Sequence, residues 1–158
     1  MSQTLLIAVW LLPLLITPFV FSQRWRWLIS LASLPAIIAT LTLEHDRIVH
    51  IPWLLLGTHL GIDEVSRWLL LASAFIWSIA SIYALLQKLS ARFYLYFTLA
   101  MAGNFLLLLA MDMITFYLGF ALMGLSTAVL IIEQTTADNL RSLRLYLIWT
   151  ITGELALF

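Results

Sequence analysis

The chain predicts an all-α membrane protein, a bundle of about six transmembrane helices, and two features carry that prediction. From residue 93 to residue 132 the only charged side chain is Asp112. One crossing needs about twenty residues, so this stretch is expected to form two helices that turn at Asp112. Composition agrees. Hydrophobic residues make up 63% of the chain and charged ones 10%, whereas a soluble domain is roughly a quarter charged. Acidic and basic side chains balance to no formal net charge, which removes the electrostatic case for a nucleic-acid partner. With no cysteine, the sequence excludes disulfides, thiolate metal sites and cysteine nucleophiles.

Five windows suit a crossing: about 4–22, 28–43 (a short one), 67–87, 93–111 and 113–132. The first is a retained span and not a signal, because no basic region precedes it and no small-residue cleavage site follows. Pro13, Pro18 and Pro35 fall in the first two windows and should kink them, with neighbours re-satisfying the freed carbonyls. A sixth window opens near Arg144 and runs to Phe158. At about 1.5 Å per residue it falls short of the roughly 30 Å hydrocarbon core. It is expected either to continue in a longer polypeptide or to stop in the membrane against a partner.

Basic residues set the expected orientation. Arg24, Arg26, Lys88, Arg92, Arg141 and Arg144 follow spans one, three and five. Only Arg47 and Arg67 lie on the other side, diluted by Glu44, Asp46, Asp63 and Glu64. The basic loops are therefore cytoplasmic and the N-terminus is outside. Trp25, Trp27, Trp53, Trp68, Tyr94 and Tyr96 lie near span ends, where amphipathic rings settle. In the outer connection 44–66, the run 51–56 reads as a short strand or an interfacial turn, and 57–61 as a hairpin. No repeat or linker divides the chain, so 1–158 is expected to be a single transmembrane helical domain.

Few residues suggest chemistry. Asp112 lies where span four turns into span five and suits an N-cap, its carboxylate accepting from Ile114 or Thr115; ion handling is the alternative. Asp63 and Ser66 are expected to cap span three, with Glu64 and Arg67 as an interfacial pair. Asn104 fits an interhelical hydrogen bond. His45, His50 and His59 match no metal signature and read as solvated loop residues. No catalytic motif of the common hydrolase, nucleotide or zinc-protease types is present, so no autonomous catalytic centre, metal or cofactor is expected. Gly124 with Ala128, and Ala74 with Ser78, form small-residue pairs for packing within the bundle or against a partner.

Three segments carry a resemblance. Gly61-Ile-Asp-Glu-Val-Ser66-Arg-Trp-Leu-Leu70 resembles the Gly-Val-Asp-Gly-Leu-Ser segment opening the third helix of antiporter-like subunits. Leu109-Ala-Met-Asp112-Met-Ile-Thr-Phe-Tyr117-Leu-Gly-Phe-Ala-Leu-Met123 is similar to their Asp, Phe-Tyr and Phe/Trp-Glu-Leu-Met pattern. Ser142-Leu-Arg-Leu-Tyr-Leu-Ile-Trp-Thr-Ile-Thr-Gly153 is similar to the segment opening their sixth helix. They stand in the family's order over about 50–158. Such subunits occur in respiratory complex I, Mrp-type cation/proton antiporters, membrane-bound hydrogenases and inorganic-carbon uptake complexes. They usually carry about fourteen helices, so the resemblance implies the leading six-helix portion, truncated or split.

The resemblance also identifies a departure. The family's fifth-helix glutamate, thought to act in proton translocation beside a lysine, is here Ala121. An alanine neither binds a proton nor biases a neighbour's pKa. Glu154 is the opposite case, an acid at a small polar position of helix six. It reads as a relocated proton carrier raised by desolvation, or as an acid neutral or paired with another subunit. Arg144 takes the family's helix-six lysine position, but lies about 15 Å along a helix from Glu154, too far to pair. The resemblance, the short chain and Ala121 together imply a membrane subunit of a proton- or cation-coupled multisubunit complex, with a structural or assembly role beside a full-length antiporter-like subunit in the bacterial inner membrane. It would be a non-catalytic subunit of an oxidoreductase or transport complex. The alternative is a subunit that conducts protons itself through Glu154, Asp112 and partner residues. A stand-alone membrane protein sharing only hydropathy is the third reading.

Overall fold

The computed structural model describes residues 2–43, 47–52, 57–87, 89–132 and 137–156. Helix α1 (Ser2–Ile16) continues into a short 3-10 turn, Thr17–Phe21. A longer 3-10 stretch, Gln23–Leu31, leads into α2 (Leu34–Thr42). An antiparallel hairpin of β1 (Arg47–Ile51) and β2 (Thr58–Ile62) follows. Four helices complete the described chain: α3 (Glu64–Gln87), α4 (Ala91–Leu109), α5 (Met113–Ile132) and α6 (Ala137–Ala156). Five helical stretches among the described residues are long and apolar enough to cross a membrane: Gln3–Phe21, Gln23–Thr42, Glu64–Gln87, Ala91–Leu109 and Met113–Ile131. This is compatible with an integral membrane protein.

The second span is longer than the expected 28–43 window, and 3-10 geometry explains its reach. A 3-10 turn rises about 2.0 Å per residue against about 1.5 Å for an α-helix. Nine residues of each therefore cover about 30 Å. The three-residue repeat also sorts the side chains: Arg26, Ile29 and Ala32 form one row, and Ile29 and Ala32 are fully buried. Trp25, Trp27 and Leu31, on the other rows, are exposed.

Only one of the three prolines lies inside an α-helix, Pro13 in α1. Pro18 and Pro35 start new helical segments, where the missing N–H costs nothing. In a continuous helix the Pro18 nitrogen would face the Leu14 carbonyl. Thr17 Oγ1 donates to that carbonyl at 2.6 Å instead.

Span three starts at Glu64 and span four ends at Leu109, because the residues beyond Leu109 turn extended and bridge to the hairpin. Helix six begins at Ala137, ahead of the apolar window expected from near Arg144, but its polar first turns leave it outside the five stretches long and apolar enough to cross a membrane. Asp138 and Asn139, both residues that favour helix starts, lie in its first turn.

Helix α4 is the axis of the bundle. Met101, Ala102, Phe105 and Leu109 are fully buried, and α4 packs most extensively on α5 and then on α1. The α4–α5 contact is close because two glycines face each other across it. A Cβ added at Gly103 would lie 2.5 Å from the Met123 nitrogen, and one at Gly119 would lie 2.6 Å from the Leu107 nitrogen. Ala74 is buried, and Ser78 shares a 2.7 Å hydrogen bond with Ser33, which packs α3 on α2. Gly124 lies against Thr150 of α6. Both small-residue pairs thus contribute to packing within the bundle.

The outer faces are apolar. On α3, Val65, Trp68, Ala72, Phe75, Ile79, Ile82 and Leu86 are all exposed, spaced three or four apart along one stripe. Contiguous apolar surface of this extent marks contact with lipid or protein.

Candidate functional site

The bundle has two ends of different character, linked by side-chain chemistry. At one end the hairpin docks on the turn between α4 and α5. Its inward residues Val49, Ile51, Leu60 and Ile62 are buried, by the two-residue alternation of a strand. The hairpin forms, but the strand begins at Arg47, earlier than the 51–56 run, and residues 57–61 are mostly β2 and not the turn itself. Gly57 ends the connection with φ of +99°, a left-handed conformation that suits glycine. Trp53 and the rest of 53–56 lie outside the described residues, as do His45, Glu44 and Asp46.

Asp112 is the centre of this end. Its Oδ1 accepts from the Thr115 amide at 2.8 Å, and its Oδ2 accepts from the Thr115 hydroxyl at 2.7 Å and from the His59 amide at 2.7 Å. The Met111 amide donates back to the His59 carbonyl at 2.9 Å. One carboxylate therefore caps α5 and ties β2 to it. Partial burial raises its pKa, but the His59 amide, the Thr115 amide and hydroxyl and the charge of His59 outweigh that and hold it below its ordinary value. Asp112 is thus a carboxylate at neutral pH, with both oxygens engaged.

Asp63 opens α3 in the same way. Its Oδ1 accepts from the Ser66 amide at 2.6 Å while the Asp63 amide donates to Ser66 Oγ at 2.9 Å, a reciprocal capping box. The Ser66 amide first, and then its hydroxyl, lower the Asp63 pKa. His50 and His59 stand opposite each other on the two strands, their ring centroids 4.5 Å apart. Among the described residues no group of three or more His, Cys, Asp or Glu is placed to hold a metal ion.

At the other end Arg26 joins two loops. Its Nε donates to the Val20 carbonyl at 3.0 Å and its Nη1 to the Leu89 carbonyl at 3.4 Å. Its guanidinium lies 5.1 Å above the Tyr94 ring. Tyr94 is therefore not part of an exposed aromatic belt: it is 1% exposed, with its hydroxyl on the Ala84 carbonyl at 2.7 Å. Trp25, Trp27 and Trp68 are exposed at span ends.

Between the ends, the clearest polar junction is Asn104. Its Oδ1 accepts from Ser73 Oγ and from Trp77 Nε1 at 3.1 Å, and its Nδ2 donates to Met123 Sδ at 3.5 Å. It connects α3, α4 and α5 with no charge. Sequence reasoning singled out Asn104 but none of its three partners, and it missed Gly103 and Gly119 altogether. The glycine sixteen positions later on an apolar helix was the available signal.

Ala121 is half-buried on α5, a helix with no acidic or basic residue from Met113 to Ile132. Glu154 falls in the last turns of α6, and its side chain lies outside the described set. Thr150, four residues before Glu154, abuts Gly124 of α5, so α6 packs on the helix that carries Ala121. Arg144 is exposed on α6.

No family model matches the chain, and no curated protein matches it.

Proposed function

We propose that the chain is a membrane subunit of a proton- or cation-coupled multisubunit complex and that its role there is structural. In this reading it belongs to the antiporter-like superfamily, sits in a bacterial inner membrane with its N-terminus outside, and docks on a full-length antiporter-like subunit. The three motif segments support the family. One observation carries the structural role: the five stretches apolar enough to cross a membrane hold no acid, lysine or histidine in their interior. A relay needs groups that take up and release protons within the membrane. Here the interior junction is the uncharged Asn104 cluster. Asp112, held ionised by three donors, serves as a clamp.

A second reading rests on the packing of α6, which carries Glu154, against α5, which carries Ala121. Glu154 would return to this helix pair the acid that α5 lacks. Substituting Glu154→Gln in the assembled complex separates the two. The structural reading expects unchanged proton-coupled activity. Abolished coupling with normal assembly would transfer the role to Glu154. Extraction of the chain from mild detergent as a lone monomer would overturn both.

A further inference from the structure

The Arg26 end of the bundle contains a cavity that neither structural packing nor the proposed complex explains. It has a volume of about 390 Å³ and is lined by Gln23, Arg26, Trp27, Leu85 and Tyr94. Arg26 is half-buried there. Its guanidinium is oriented by two backbone carbonyls and a ring face, which hold it in place without neutralising it. No carboxylate among the described side chains pairs with it; the acids whose side chains are described, Asp63, Glu64 and Asp112, all belong to the hairpin end. With Nε and one Nη1 hydrogen engaged, Nη2 keeps both its N–H groups for a ligand. Gln23, exposed beside it, supplies a further amide donor. A fixed, unpaired guanidinium with a neighbouring amide is a binding arrangement for a phosphodiester oxygen pair.

We propose that this cavity holds the headgroup of an anionic phospholipid, with Arg26 on the phosphate. The surroundings favour lipid over a soluble phosphate. The cavity lies at an end of the spans with Trp27 in its lining, and Phe19, Phe21 and Trp25 are exposed on the adjoining segments, which suits the glycerol level of a bilayer. On the same two helices, α3 and α4, a second cavity of about 380 Å³ is lined by Ala80, Ala84, Leu89, Phe93 and Phe97 among others. Its walls are mostly apolar, with Tyr83 and Gln87 as the polar members, and accommodate an acyl chain. The exposed Arg92 adds attraction for an anionic leaflet. The proposal needs only the membrane-spanning arrangement, not membership of any complex.

The test is lipid retention. The full chain is placed in phosphatidylcholine vesicles containing a minor share of phosphatidylglycerol, extracted gently, and its bound lipid counted by native mass spectrometry. Phosphatidylglycerol should be enriched about tenfold over the vesicle ratio, the factor that one charge-assisted hydrogen-bonded contact supplies. Gln23→Glu keeps every contact of Arg26 while offering it a competing carboxylate, and should return retention to the vesicle ratio. Arg24→Gln, outside the cavity, should leave the enrichment intact. Wild-type retention at the vesicle ratio would overturn the proposal, as would full enrichment in a folded Gln23→Glu protein. So would equal loss in Arg24→Gln, which indicates diffuse charge, or displacement of the lipid by millimolar inorganic phosphate, which indicates a soluble anion.

Discussion

Asp112 performs two tasks with one side chain, and the sequence reveals only one of them. An aspartate three residues before Thr115 and just ahead of an apolar run is a cap by local rules. Its bond to the His59 amide spans 53 positions, and no local pattern encodes it. The two tasks predict different responses to substitution. Asp112→Ala should destabilise the protein by about 2 kcal/mol, combining a lost cap with a buried amide left unpaired. Asp112→Asn should retain most of the cap. Amide hydrogen exchange separates the effects: β2 amides, His59 above all, should exchange faster in the alanine variant than the α5 amides do. The pH dependence follows from the lowered pKa values of Asp112 and Asp63. Each folded-state value lies below the unfolded one near ~3.9, so the stabilisation is complete above that pH and is lost as pH falls through the folded value. Melting temperature should therefore stay level through the neutral range and drop only under strongly acid conditions. A drop beginning near neutrality would assign the effect to other groups.

The elements show why some boundaries were legible and others were not. Span five is read correctly to the residue, because Asp112 caps it and apolar residues fill it. Span two is misread because a nine-residue 3-10 stretch has no compositional signature, and its two arginines resemble a loop. Helix six starts seven residues ahead of its apolar window, because its first turns are polar and a hydropathy reading does not register them. The α4–α5 contact is the element-scale feature with the sharpest consequence. The atoms that a new Cβ would meet at Gly103 and Gly119 are all main-chain, so no side chain can swing aside. Gly103→Ala and Gly119→Ala should each force the helices apart, at a cost of about 3 kcal/mol. At Gly124 the nearest neighbour is a Thr150 methyl at 3.1 Å, which can yield, and the cost should be small. At Gly153 a Cβ meets nothing among the described residues, and alanine should be neutral or gain up to ~1 kcal/mol in helix propensity. Thermal unfolding in one detergent ranks the four variants. Equal stability of Gly103→Ala and Gly153→Ala would refute the close crossing.

For the whole molecule, two long-range ties settle which loops share an end. Arg26 to the Leu89 carbonyl puts the connection before α2 beside the one between α3 and α4. Asp112 to the His59 amide puts the hairpin beside the turn between α4 and α5. In the proposed orientation the first end faces the cytoplasm, and charge supports it. Arg24, Arg26 and Arg92 belong to the first end, while Asp63, Glu64 and Asp112, with Arg67, belong to the second. The 3-10 stretch strengthens the bias, because it carries Arg24 and Arg26 within the span's own first turns, where basic residues weigh most. The chain has no cysteine, so single cysteines report without background. Ser22 and Ile48 are exposed at opposite ends. In intact cells a membrane-impermeant maleimide should label Ile48→Cys and spare Ser22→Cys until the membrane is opened. The reverse pattern would invert the orientation. Labelling of both in intact cells would be incompatible with a chain that crosses the bilayer between them.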